Sequence, residues 1–249
     1  MSDFILTDDN CAPPPGFATG LIPRDWAAQP YGSIPGLPAM ALPSFSDQEI
    51  LDRLADQERH KSSLHHMRED YKIRSLNQSR YPFCWAFSTT KAIMYLRARA
   101  NEPMEELSGF MLACISSGYQ VRGGWCDESL QTAREVGICS LAEWPQDSIS
   151  RNNWNEVNKA AALKRKVTEW SDIPPGNTRM IASLLLMNIP VMVEHNRWAH
   201  SVCGYQLVSW NPFKYRIDNS WTENWGSEQG TAIMDWRIDN AAAPYVSGL

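Results

Sequence analysis

Residues 78–88 read Gln78-Ser-Arg-Tyr-Pro-Phe-Cys84-Trp-Ala-Phe-Ser88 and run without a break into Thr-Thr-Lys-Ala-Ile-Met-Tyr-Leu-Arg-Ala-Arg99. From Phe83 onward the segment contains Phe87, Ile93, Met94 and Leu96 among good helix formers, with neither proline nor glycine. That composition predicts a buried helix that begins at a cysteine. A thiol at a helix start faces free backbone amides and the positive end of the macrodipole, and both favour the nucleophilic thiolate. A cysteine in front of Trp85-Ala-Phe87 is equally well read as core.

Toward the N-terminus the pattern changes character. Residues 1–45 hold eight of the chain's sixteen prolines, including Pro13-Pro14-Pro15 and Ile34-Pro-Gly-Leu-Pro38, which excludes regular helix and predicts an extended arm. Its apolar members Phe17, Leu21, Ile22, Trp26, Tyr31 and Leu37 are too many for a solvated linker, so the arm is expected to lie along a surface. Ser46-Asp-Gln-Glu49 is a capping box, and Ile50, Leu51 and Leu54 follow at helical spacing, so a helix is expected from Asp47. His60, His65 and His66 come next, without a carboxylate or cysteine at ligand spacing, and read as surface or packing residues rather than a metal site.

Toward the C-terminus further helices are expected at 108–115, capped by Ser108, and at 127–136, 153–164 and 178–187. After residue 188 short β-like runs take over, at 190–194, 200–205, 215–218 and 231–236, separated by Asn, Pro and Gly. A helical half followed by a sheet-rich half indicates an α+β architecture with a cleft between two lobes. The expected division is an arm over 1–45, a helical connector over 46–70, a helical lobe over 71–165 and a β-rich lobe over 166–249.

The segment around Cys84 resembles the nucleophile segment of the papain-like cysteine peptidases, which places a glutamine six residues before the cysteine and Trp-Ala-Phe-Ser after it. Leu107-Ser108, Gly123-Gly124-Trp125, Gly137-Ile138 and Glu143-Trp-Pro145 are similar to the family's landmarks in their usual order. Ala199-His200-Ser-Val-Cys-Gly-Tyr205 resembles its histidine strand, and Asp218-Asn219-Ser220-Trp221, with Trp225-Gly226 and Gly230, its asparagine segment. The resemblance runs over about residues 70–235. It implies a two-lobed fold, with the nucleophile helix in a helical lobe, His and Asn in an antiparallel sheet or barrel lobe, and the cleft between them.

By the same resemblance Cys84 attacks a peptide carbonyl and His200 exchanges its proton, the two resting as an ion pair. Asn219 holds the other imidazole nitrogen, and Trp221 shields that contact. The Cys84 backbone amide and the Gln78 side-chain amide receive the oxyanion. Gly123, Gly124 and Trp125 line the path of an extended substrate. No metal or cofactor is called for.

Several positions depart from the family pattern. Tyr81-Pro82-Phe83 replaces the usual Cys-Gly-Ser, so Pro82 is expected to narrow the subsite beside the scissile bond or to redirect its preference. The cysteines at 11, 84, 114, 126, 139 and 203 include no CxxC pair and do not reproduce the family's disulfide pattern. Ala199 stands where relatives often carry Asp or Asn.

With a formal net charge of -5 and no long basic stretch, the sequence gives no case for nucleic acid as a partner. No apolar run approaches the ~20 residues of a membrane span, and the first residues lack a signal peptide's basic and apolar regions. The expectation is a chain that is not signal-secreted, working in a reducing interior, cytoplasmic or within an assembly such as a virion. A peptide or protein substrate is the partner expected of the peptidase reading. Two other readings stay open: a structural component of a virus or phage particle built on this domain and draped by its arm, and an inactive relative that binds peptides in the cleft.

Overall fold

The structure is a computed structural model and describes residues 3–25, 28, 42–227 and 229–245. Its helices among these residues are α1 Asp47–His60, α2 Leu64–Asp70, α3 Cys84–Arg99, α4 Gly109–Ser117, α5 Cys126–Val136, α6 Glu156–Ala162 and α7 Thr178–Leu186. The strands are β1 Glu169–Ile173, β2 Val191–His195, β3 His200–Ser209, β4 Lys214–Asp218, β5 Thr231–Met234 and β6 Asn240–Tyr245. They form one antiparallel sheet in the order β1-β6-β2-β3-β4-β5.

Local chemistry explains most boundaries. The capping box before α1 is formed in full, Ser46 Oγ accepting from the Glu49 amide at 3.3 Å and Glu49 Oε2 accepting from the Ser46 amide at 2.8 Å. Ser108 caps α4 through the Met111 amide. The helix expected over 153–164 is shorter, a 3-10 turn at Arg151–Asn153 and then α6, because Asn155 caps a fresh start by accepting from the Asn158 amide. Strands β1 and β6 were not expected at all. The Asn240-Ala-Ala-Ala-Pro-Tyr245 run has no β-branched residue, and pairing on both sides, with β1 and β2, makes it a strand.

α3 is buried from Cys84 to Ala98 and has no polar face, as a helix enclosed by other elements must be. It packs against α4 and α5 and also against β3. One apolar core gathers around Trp85, Phe87, Tyr95, Phe110 and Trp144, and a second, holding Leu184, Val193, Trp198, Tyr215 and Trp221, forms where α7 meets the sheet. α3 therefore sits where the lobes meet, and its first residue opens at their junction.

Beneath that junction lies a buried charged hub. Asp218 accepts from Ser75 Oγ at 2.6 Å, Tyr95 Oη at 2.9 Å and Arg68 Nε at 3.3 Å, with Lys91 Nζ at 3.6 Å. These partners tie α2, α3 and the loop between them to the end of β4, next to Asn219.

Where it is described the arm turns at residues 8–10 and 15–16 and is otherwise extended, and the Ile34–Pro38 run lies outside the described residues. The Leu6 amide donates to Ile233 O and the Ile233 amide to Phe4 O, both at 2.9 Å, so the arm starts along β5 and buries Leu6 in the second core. Residues 18–24 then enter the groove between the lobes.

Candidate active site

Cys84 is the first residue of α3 and has no exposed surface. The loop before it is fixed by aromatic packing: Tyr81 stacks on Phe83 with ring centroids 5.4 Å apart, and both meet Phe110 edge-on. The bulky Tyr81 and Phe83 thus anchor the loop in the helical core. The Pro82 carbonyl accepts from Trp85 Nε1 at 3.1 Å.

His200 opens β3 and is also fully buried. The register Cys203↔Asp218 brings Asn219, just past β4, back toward the head of β3. There Asn219 Oδ1 lies 2.8 Å from His200 Nε2 and accepts from the Ser220 amide at 2.7 Å. Because the amide N–H fixes that atom as an acceptor, His200 must carry its proton on Nε2. Its Nδ1 is buried with no hydrogen-bond partner, the state required of a base awaiting a proton.

The imidazole lies between two indoles. Trp221 stacks on it at 4.4 Å, and Trp198 meets it edge-on at 4.6 Å. Trp198 was missed, since a tryptophan beside a histidine gives no signal distinguishing it from ordinary core.

Gln78 is buried across the cleft. Ser220 Oγ donates to its Oε1 at 2.5 Å, which turns the amide nitrogen outward to donate to Tyr81 O and Ala18 O, both at 2.8 Å. Ala18 belongs to the arm, and its carbonyl also accepts from Trp221 Nε1 at 3.2 Å. Beyond it the Gly20 and Leu21 amides donate to Ala199 O at 3.2 and 3.0 Å, Gly20 O accepts from the Gly124 amide at 2.9 Å, and Ile22 O accepts from Trp125 Nε1 at 2.8 Å.

A peptide from the chain itself therefore lies on Gln78, Gly124, Trp125 and Trp221. Gly123 admits it because a Cβ there would come 2.5 Å from Gly20 O. Pro82 constrains it: a Cβ on Gly20 would stand 2.1 Å from Pro82 O. Ala199, whose carbonyl takes both arm amides, has φ +50°, a left-handed backbone in which Asp and Asn are more at ease than alanine.

This covering decides the charge state. Burial pushes the Cys84 thiol up to about 12, although the amides of Ser201, Gly20 and Trp85 pull it the other way. Burial likewise draws His200 down to about 3, against the Asn219 hydrogen bond. In the covered site burial thus favours the neutral form of each group over the expected thiolate–imidazolium pair. All six cysteines are free. His60 and His65 do each face a carboxylate one helical turn away, Asp56 at 3.3 Å and Glu69 at 4.0 Å, and His66 is bonded to Ser63, but no cluster among the described residues is arranged to hold a metal.

Three comparisons bear on this geometry. Zingipain-2 from Zingiber officinale is 25% identical over 191 residues, covering 66% of this chain and 82% of its own. Xylellain, a cysteine protease from Xylella fastidiosa, shares the fold at TM-score 0.64 and 15% identity, over 93% of this chain and 97% of its own. Digestive procathepsin L 3 of Tenebrio molitor larval midgut matches at TM-score 0.58 and 19% identity over 70% of this chain, which spans 66% of that relative's length. The family described as papain family cysteine protease matches residues 66–208. That match covers more than half of the sequence and reaches from α2 through the His200 strand, and by it the chain belongs to the papain family of cysteine proteases.

Proposed function

We propose that this cysteine peptidase cleaves peptide bonds through Cys84 and that residues 18–24 of its arm hold it latent. Once the cleft is open, the Cys84 thiol gives its proton to His200 Nδ1 and the sulfur attacks the substrate carbonyl carbon. The oxyanion is held by the Gln78 amide and the Cys84 backbone N–H. Collapse expels the amine, which takes the proton from the imidazolium. Water, activated by His200, then hydrolyses the thioester and restores the thiol. Asn219 keeps Nε2 protonated throughout, and Trp198 and Trp221 keep water from that bond.

The observation that carries this reading is the Ala18 carbonyl held by the Gln78 amide and the Trp221 indole. Donors aimed at a peptide carbonyl, beside a thiol and an imidazole with a free basic nitrogen, form a site for acyl transfer. Of the arm's apolar residues that suggested a role in an assembly, Leu21 is covered by its own chain at 3% exposure, Ile22 is 39% exposed, and Trp26, Tyr31 and Leu37 lie outside the described residues.

The test is turnover of a fluorogenic peptide library by the chain after its arm is displaced. Gln78→Ala should lower kcat roughly a hundred- to a thousandfold with little change in KM, because the lost donor acts on charge present only in the transition state. A loss confined to KM would assign Gln78 to ground-state binding and contradict the reading.

A further inference from the structure

Arg24 of the arm places its guanidinium in an acidic recess. The guanidinium carbon lies 3.3 Å from the centroid of the Trp125 ring, and Nη2 is 3.6 Å from Asp127 Oδ1, with both side chains nearly buried at 6% and 5% exposure. Glu194, at the end of β2, is 1% exposed in the same neighbourhood. Its Oε1 accepts from the Cys126 amide at 2.8 Å and its Oε2 from Asn240 Nδ2 at 2.7 Å. Asn196 grips the arm's backbone, donating to Arg24 O at 2.7 Å and accepting from its amide at 3.2 Å.

Two buried carboxylates in one recess are costly. Burial, and then Asp127, raise Glu194 to about 7, and Arg24 acts to lower it. A cation between an indole face and these carboxylates offsets that cost, and a guanidinium suits both partners. The recess is continuous with the cleft, since Trp125, whose ring covers Arg24, also takes the Ile22 carbonyl beside Gly124. The Asn196 clamp addresses only backbone and would serve any extended peptide.

We infer that Asp127, Glu194 and Trp125 form a subsite for a cationic substrate side chain, arginine or lysine, on the Gly124 side of the scissile bond, and that Arg24 fills it in the latent chain. The inference rests on the peptidase reading above, but the recess is testable without turnover. In full-length Arg24→Ala, ethylguanidinium should bind saturably in the millimolar range, raising the melting temperature and changing tryptophan fluorescence. The wild type should show no saturable effect, and Asp127→Asn added to Arg24→Ala should weaken binding at least tenfold. Equal responses in all three chains, or equal binding of the neutral analogue ethylurea, would overturn the assignment.

Peptidyl epoxides differing only in Arg, Leu or Glu at one position then test specificity on the Arg24→Ala chain. The Arg probe should modify Cys84 at least tenfold faster than the Leu probe, and Asp127→Asn should remove that preference. Equal rates overturn the proposal. Should Arg24→Ala fail to fold, Asp127→Asn alone, with Arg24 in place, should raise Cys84 alkylation by iodoacetamide about tenfold by loosening the arm, and an unchanged rate overturns it equally. Ethylguanidinium binding with no labelling by any epoxide supports the cation recess and counts instead against the peptidase reading.

Discussion

Replacing Gly20 by valine should raise the alkylation rate of Cys84 by iodoacetamide at neutral pH by roughly a thousandfold. The arm passes Pro82 with no room for a side chain, a Cβ on Gly20 falling 2.1 Å from Pro82 O and 2.3 Å from its carbon. Both atoms are backbone and cannot turn aside. Valine therefore breaks the Gly20 and Leu21 bonds to Ala199 O and the Gly124 bond to Gly20 O, and the Ala18 carbonyl loses its register on Gln78.

The thiol then returns from about 12 toward the ordinary ~8.5 of a cysteine, and each unit gained is tenfold in thiolate at pH 7. The helix start and a recovering His200 would carry it lower still. The sign is fixed: burial raised the thiol's pKa, so uncovering lowers it and increases the reactive fraction. Peptide mapping of the alkylated site separates Cys84 from the other five cysteines. A rate equal to that of the wild type would show that the arm does not shield the thiol.

Asp218→Asn should destabilise the fold by about 3–5 kcal/mol, the cost of removing one partner from a buried ionic group. Asp218, Lys91 and Arg68 are 2%, 2% and 6% exposed, so neither cation can turn to water when the carboxylate is lost. Burial already draws the Lys91 ammonium down, with Asp218 as the first opposing influence, so the lysine escapes by shedding its proton. Arginine has no such escape. For a chain of this size the loss corresponds to a melting temperature lower by roughly 10 °C. Urea unfolding followed by circular dichroism measures it, and a change under 1 kcal/mol would mean that the hub is open to water. Asn219 is the next residue, so the variant should also lose activity before it unfolds.

The site was legible in the sequence because its chemistry demands particular residue types at fixed distances along the chain. A thiol at a helix start, a glutamine six residues earlier, a histidine opening a strand and an asparagine beyond the next strand are each weak signals, and their order gives them force. The helical half and the sheet-rich half were readable from periodicity. β1 and β6 were not, since Asn240-Ala-Ala-Ala-Pro-Tyr245 becomes a strand only by pairing with residues 68–76 and 46–50 positions away.

The arm's destination was equally hidden. Gly20 is one of fourteen glycines, and nothing near it in sequence announces the Pro82 carbonyl that makes a side chain impossible there. The acidic recess is assembled from α5 and β2, with the cation that fills it supplied from residue 24, so no local pattern could reveal it. That same unforeseen cover favours the neutral forms of Cys84 and His200. Residue types at the site indicate a thiolate, and burial works against it.

The most direct test is mass-spectrometric labelling with a peptidyl vinyl sulfone at neutral pH under reducing conditions, applied to wild type, Gly20→Val and Cys84→Ala. The account predicts a single adduct on Cys84, rapid in Gly20→Val and slow in the wild type, with none in Cys84→Ala. A folded Gly20→Val chain that takes no adduct, or takes it on another cysteine, would contradict the claim that Cys84 is the nucleophile of a site closed by its own arm.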